Sequence, residues 1–231
     1  MSLRGKGMLV VFAAVKPQHE HDFNEWYNRE HIDERLAMPG FQRARRYVAV
    51  QGSPKYLAIY ECDRVGDLGT PHYLGGLANG TPWTKRVTGR FTRFHRLTLR
   101  MQVDETHGMG GVLVAVRFVP ASGHRRNLSQ WLRRTAFPRA IKTPGMVGAA
   151  AGENDPDIAN APTRTTSMDR PTALDPEWVV FLEAAEAEAG ARVARQLFRL
   201  SALRQFGVRK PPVIGTYRFL FGNQAPQKAR D

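Results

Sequence analysis

Residues Gly7 to Pro17 read GMLVVFAAVKP, and Gly111 to Pro120 read GVLVAVRFVP. This near-echo decides the fold. Working outward from it, Trp26 and Pro39-Gly40 return as Trp131 and Pro144-Gly145, thirteen residues apart in both places. KYLAIYEC (Lys55 to Cys62) returns loosely as EWVVFLEA (Glu177 to Ala184), and VTGRFTRF (Val87 to Phe94) as VIGTYRFL (Val213 to Leu220). A unit of about a hundred residues is therefore present twice, in diverged form.

Within the first unit, Met8 to Val15 is an unbroken apolar run, the mark of a central strand buried on both faces. Pro17 suits a first helical turn, and the helix ends at Pro39-Gly40. Two strands, Phe41 to Val50 and Lys55 to Cys62, flank the turn Gln51-Gly52-Ser53-Pro54. Arg64 to Thr88 is rich in glycine and proline, so its helix is expected to be short, broken and loop-like. Arg90 to Met101 closes the unit as a strand. The order is βαββαβ, the ferredoxin-like unit.

The second unit repeats that order. Its first helix is expected over Arg125 to Ile141 with a kink at Pro138, and its second over Ala185 to Phe206. A ferredoxin-like unit covers one sheet face with helices and leaves the other bare, so it needs a partner. A tandem copy supplies one. The expected fold class is α+β: two ferredoxin-like repeats packed sheet-to-sheet as an intramolecular, pseudo-dimeric α/β barrel. The boundaries read 1–103 for the first repeat, 104–110 for a linker, 111–223 for the second repeat and 224–231 for a flexible tail. Residues 153–176 form an insertion, polar and proline-containing, read as a surface loop or lid.

Composition bounds the rest. Of the 231 residues 42% are hydrophobic and 24% charged, ordinary for a globular chain. No apolar stretch is long enough to span a bilayer, and no signal-peptide pattern follows the N-terminus. Cys62 is the only cysteine, so no intrachain disulfide can form, and a cytoplasmic setting is the default expectation. The net charge of +13 favours anionic partners, but the arginines are spread over both units rather than gathered in a tail.

On a wheel of 100° per residue, Phe23, Trp26, Tyr27, Ala37 and Met38 share one side of the first helix. Glu30 and Glu34 fall within that stripe and His31 at its edge. Carboxylates facing a core must be paired. Either the stripe lines a polar cavity, or the glutamates meet arginines such as Arg43 and Arg45. With a 105-residue offset, Glu30, His31 and Glu34 correspond to Thr135, Ala136 and Arg139, while Trp26 persists as Trp131. The ionisable cluster thus belongs to the first repeat alone.

A second cluster lies on the last strand of the first repeat. Alternation places Phe91, Arg93, His95, Leu97 and Leu99 on one face, with Phe219 and Phe221 matching the polar pair in the second repeat. A histidine in a partly apolar site can move protons near neutrality. His72, Tyr73 and Trp83 sit in the glycine-rich segment expected to cover the same cavity. Walker, GxGxxG and GxSxG motifs are absent. His19-Glu20-His21 has the wrong spacing for a helical metal pair, so no metal site is expected.

FNEWYNREHIDERLAMPGFQRARRY (Phe23 to Tyr47) resembles the EthD-like branch of the dimeric α/β-barrel superfamily, in which a W-Y-x-x-x-H helix leads to a Pro-Gly turn. ANGTPWTKRVTGRFTRF (Ala78 to Phe94) looks like the closing segment of that family. The resemblance covers Gly7 to Arg100; the second repeat matches only at the level of fold. Dye-decolourising peroxidases also carry tandem halves, but their GxxDG signature is missing. The resemblance implies a cavity between sheet and helices lined by His31, Tyr27 and Trp26. It implies a cofactor-free enzyme of monooxygenase, cyclase or isomerase type acting on a small hydrophobic, aromatic or polyketide-like molecule.

The catalytic candidates are His31, His95, Arg93 and Glu30. The ligand-binding candidates are Trp26, Tyr27, Phe23, Tyr60, His72, Tyr73, Trp83 and Phe91. A non-catalytic metabolite-binding protein, or a haem-handling one with His31 as axial ligand, is the alternative. RNA binding would use Arg90, Arg93 and Arg96 interleaved with Phe91 and Phe94. It is disfavoured, because the RNP1 pattern is missing and the partner repeat should cover the sheet. A homodimer of the pseudo-dimeric chain remains a possible assembly.

Overall fold

The structure, a computed structural model, describes residues 3–165 and 175–226. The first repeat contributes β1 (Gly7–Val15), β2 (Phe41–Gln51), β3 (Tyr56–Cys62) and β4 (Phe91–Asp104). The second contributes β5 (Val112–Phe118), β6 (Met146–Asn154), β7 (Trp178–Ala184) and β8 (Val213–Gln224). The helices are α1 (Glu20–Trp26), α2 (Ile32–Leu36), α3 (Pro71–Ala78), α4 (Pro82–Thr88), α5 (Arg125–Trp131), α6 (Phe137–Ile141), α7 (Pro156–Thr165), α8 (Ala187–Leu197) and α9 (Leu200–Leu203).

The strands form one closed antiparallel barrel in the order β1-β3-β2-β8-β5-β7-β6-β4. Each repeat supplies a four-stranded sheet of ferredoxin-like order. The sheets face each other and are also hydrogen-bonded along both edges, at β2–β8 and β4–β6. Closure leaves no free sheet edge. An eight-stranded barrel is just wide enough to be filled by side chains. Here the filling includes Met8, Val10, Phe12, Leu57, Ile59, Leu97, Leu99, Leu113, Phe181 and Tyr217. Alternate residues of β1 (Leu9, Val11, Ala13, Val15) point outward beneath the helices of the first repeat. That is why Met8 to Val15 is apolar at every position. The barrel-facing side of both sheets is thus filled, although Phe219 and Leu220 near the end of β8 are exposed.

The pairing refines the internal match. Gly7 stands opposite Cys62 and Val112 opposite Ala184. Gly7 is therefore equivalent to Val112, not Gly111, and Phe12 to Arg117. Both barrel faces of the strand are apolar, so a one-residue slip is invisible in the string although it exchanges the faces. The same frame corrects the last strand. His95 pairs with Phe12 and Val213 with Arg117, so Val213 is the counterpart of His95, and Phe221 is not.

Both repeats carry a π turn at the same place in the first helix, Tyr27–His31 and Leu132–Ala136, confirming the 105-residue offset there. Pro138 lies just beyond the second of these turns, and the first forms without a proline, so proline is not the cause. The second helix of the first repeat is broken, as its glycines require, yet it consists of the short helices α3 and α4 rather than loop. Its counterpart, expected as one helix, breaks after Leu197 into α8, α9 and a 3-10 turn.

The insertion begins differently from the expected loop. Glu153 and Asn154 complete β6, and Pro156–Thr165 is α7, whose Ile158 packs against the core of the first repeat. Residues 166–174 of the insertion, and 227–231 of the tail, lie outside the described residues. The tail's first residue, Gln224, ends β8, and Ala225 donates its N–H to the Gln42 carbonyl. Among the described residues, no helix is long and apolar enough to cross a membrane.

Candidate functional site

The first repeat holds a cavity of about 470 Å³ between its sheet and its helices, within the range of small-molecule sites. Leu9 and Val11 of β1, Tyr60 of β3, and Phe91, Phe94 and Arg96 of β4 form the sheet side. Trp26, Tyr27, His31 and Arg35 come from the first helix, and Tyr73, Leu77, Gly80, Thr84 and Lys85 from the segment above. The broken second helix leaves this space open. In the second repeat Phe198 and Phe206 pack on Trp131, at 5.8 and 5.3 Å between ring centroids.

The π turn sets the facing of the first helix. One extra residue in the turn shifts the downstream face relative to a regular helix. Consequently Ile32, Arg35 and Leu36 are buried, while Ala37 is exposed, contrary to the 100° wheel. Glu30 and Glu34 are only half-buried. Glu30 accepts hydrogen bonds from Thr81 Oγ1 (2.6 Å) and Thr84 Oγ1 (3.2 Å), and Thr84 Oγ1 in turn accepts from Trp26 Nε1 (3.0 Å). Glu30 therefore ties α4 to the first helix and fixes the Trp26 indole; it acts one residue away from the cavity. Arg43 and Arg45, offered as its partners, point into the barrel instead, to Glu61 and Glu183.

His31 lies flat on Trp26, with ring centroids 4.1 Å apart and planes at 26°. Tyr27 and Tyr60 stand edge-on to it at 5.2 and 6.2 Å. Its Nδ1 is enclosed and has no hydrogen-bond partner; the Glu34 carboxylate is 3.9 Å away. Burial, reinforced by the charges of Arg35 and Arg46, holds the imidazole pKa well below its ordinary value. The ring is thus neutral at neutral pH. Burial likewise raises Tyr27 and drives Tyr60 well up, so both phenols stay protonated. Arg46 props Tyr27 from behind at 4.0 Å from the ring centroid, held by Asn24 and Asn28.

The remaining candidates scatter. Phe23 is buried behind the cavity against Tyr27, Tyr56 and Phe91 and does not line it. Trp83 donates to Asp22 (2.9 Å) and clamps α4 at the surface. His72 and Arg93 are exposed. A register shift in β4 opposite Ala14 and Val15 turns Phe91 outward to the cavity, so it does not share a face with His95, Leu97 and Leu99. His95 faces the barrel end, where its Nε2 is 2.8 Å from Glu177, which also accepts from Arg117 at 2.8 Å. His31 and His95 thus lie on opposite faces of the sheet and form no common centre. Arg35, absent from the expected site, and Arg96, expected only in the RNA reading, also reach the cavity.

Among the described residues, no three His, Cys, Asp or Glu side chains converge as a metal site. No family model matches the chain. No curated protein matches significantly. Solved structures do. An anthrone oxidase-like protein superposes with TM-score 0.68 at 11% identity, over 98% of this chain and 97% of its own. A proposed monooxygenase from Lactobacillus acidophilus NCFM gives 0.56 at 12% identity, over 95% and 96%. A mutant chlorite dismutase from Candidatus Nitrospira defluvii, in complex with cyanide, gives 0.52 at 11%, over 93% and 91%. With near-complete coverage in each direction and a closed eight-stranded barrel, the chain shares the α/β-barrel fold of these structures, with both ferredoxin-like halves in one polypeptide.

Proposed function

We propose that this chain is a small-molecule enzyme that holds a planar, aromatic or polyketide-like compound in the first-repeat cavity and uses His31 to take a proton from it. The observation that carries this reading is His31 itself: a buried imidazole, stacked on Trp26, in a ligand-sized cavity with aromatic walls. A neutral imidazole accepts a proton; Nδ1 is enclosed, which leaves Nε2 to meet the ligand. Abstraction of an acidic C–H or phenolic proton gives an enolate or phenolate, the species common to cofactor-free oxygenation, cyclisation and isomerisation. Trp26 and Tyr27 orient the imidazole, and Tyr60, kept protonated by burial, can donate to the developing oxyanion. The likeness to an anthrone oxidase-like protein and the EthD-like helix motif support this class without naming the substrate.

The test is turnover of an anthrone-type substrate by His31→Ala. General-base loss predicts a fall of about 10²–10⁴-fold with the circular dichroism spectrum unchanged. Full activity in a folded variant refutes the assignment. A ligand that co-purifies unchanged favours the binding-protein alternative, and a Soret band in the purified protein favours the haem-handling one.

A further inference from the structure

We propose that the ligand of the first-repeat cavity is an acid: a planar aromatic molecule whose carboxylate sits at Arg35 and Arg96. This deepens the reading above and rests on it for the choice of cavity. The argument starts from uncompensated charge. Arg35 is 3% exposed, its Nη1 reaches only the sulfur of Met38 at 3.6 Å, and its Nε has no partner. Arg96, also 3% exposed, donates to two neutral oxygens, the Ala159 carbonyl (3.0 Å) and the Tyr73 hydroxyl (3.2 Å). Neither meets a carboxylate among the described residues.

Burying a cation without a counter-charge is costly. Inside the barrel the same chain avoids it: Arg43 and Arg45 are paired with Glu61 and Glu183, and Arg117 with Glu177. The two unpaired guanidinium groups of the cavity share one landmark. Their Cζ atoms lie 5.8 and 5.9 Å from the centroid of the Tyr73 ring. Both groups line the same cavity as Tyr60, a residue 1% exposed.

A carboxylate offers what is missing. Its two oxygens accept charge-assisted hydrogen bonds from guanidinium groups, while an attached ring system fills the apolar part between Val11, Trp26 and Phe91. The Glu34 carboxylate, 3.9 Å from His31 Nδ1 and one-third exposed, is not among the residues that line the cavity and leaves the anion's place open. The bound anion also offsets the positive charge of Arg35 that disfavours protonation of His31. Ligand binding therefore strengthens the base that acts on the ligand.

The experiment titrates the full chain with naphthoate and its neutral isostere naphthamide by calorimetry. Wild type is expected to bind naphthoate at least about tenfold more tightly, the size of one good charge-assisted contact. Arg35→Met and Arg96→Met should each remove most of that preference, weakening naphthoate far more than naphthamide. A second readout separates ligand holding from a structural role. Without ligand, Arg35→Met should melt at or above the wild-type temperature, because a charge lacking a partner is gone.

Equal affinity for the two compounds, no binding of either, or a lower melting temperature for Arg35→Met overturns the proposal. The two readings fail separately. Loss of the charge preference with His31-dependent turnover intact removes only the acid. Charge preference kept alongside full turnover by His31→Ala removes only the catalytic role.

Discussion

Replacing Arg45 by methionine should be among the most damaging single changes in the barrel, and its cost can be worked from the contacts. Arg45, on β2 of the first repeat, donates to Glu183 on β7 of the second at 2.6 Å and to Glu61 at 3.2 Å. Arg43 binds Glu61 through two further bonds, Nε to Oε1 at 2.9 Å and Nη2 to Oε2 at 2.8 Å. All four side chains are at most 5% exposed. Burial works against the charge on Arg45, but the Glu183 and Glu61 carboxylates outweigh it and hold the guanidinium protonated.

Without Arg45, Glu61 keeps Arg43, whereas Glu183 keeps only the Gly110 N–H at 3.0 Å. Breaking a buried pair in this way costs about 3–5 kcal/mol. At ~2–4 °C per kcal/mol for a chain of this size, the melting temperature should drop by about 6–20 °C. Arg45→Met combined with Glu183→Leu removes both charges and leaves the Arg43–Glu61 pair balanced. It should recover most of the loss, giving a coupling of about 2 kcal/mol or more in a double-mutant cycle measured by urea unfolding. Additive effects, or a loss below about 1 kcal/mol for Arg45→Met, would refute the reasoning that this charge network joins the repeats through the barrel interior.

Acid should destabilise the protein in two stages. The folded state resists protonating His31, so below about pH 6.5 the unfolded chain binds more protons and stability falls with pH. His31→Gln should flatten that slope in urea midpoints taken across the window; an unchanged slope contradicts the buried neutral imidazole. Burial pushes the Glu177 carboxyl up, but His95 and Arg117 overcome it and hold it below its ordinary value, so a further loss should begin near pH 4.5 and below. Gly52 has φ of +108°, and a Cβ there would stand 2.9 Å from the Gly215 Cα across the β2–β8 seam. Gly52→Ala should cost more than the ~1–2 kcal/mol of left-handed strain alone. Gly123→Ala, with φ of +86° and open space around its Cβ, is the control that carries the strain without the contact. Equal losses for the two variants would show that the seam contact adds nothing.

The duplication was legible because packing residues persist: Trp26 and Trp131, the Pro-Gly turns, and strands of identical length at Tyr56–Cys62 and Trp178–Ala184. Barrel closure followed from a physical need, the covering of two bare sheet faces. Register was not legible in β1 and β5, because residues apolar on both faces carry no alternation to read. The wheel misplaced Glu30, Glu34 and Ala37 because a π turn leaves no mark in composition. The shift in β4 hid the outward turn of Phe91 in the same way. Arg35 was overlooked because an arginine on a helix ordinarily faces water; only the π turn and the broken helix above bring it inside. The second repeat sets His31 apart in the sequence, because alanine stands at its counterpart, Ala136, which the structure buries in a packed core.

The central claim is that one repeat works while the other holds the frame. Crystals of the full chain grown with naphthoate test it directly. The account predicts ligand density between Trp26, His31, Arg35 and Tyr73, with the carboxylate toward Arg35 and Arg96, and none beside Trp131. Density beside Trp131 or inside the barrel at His95 and Glu177, with the first-repeat cavity empty, would contradict it.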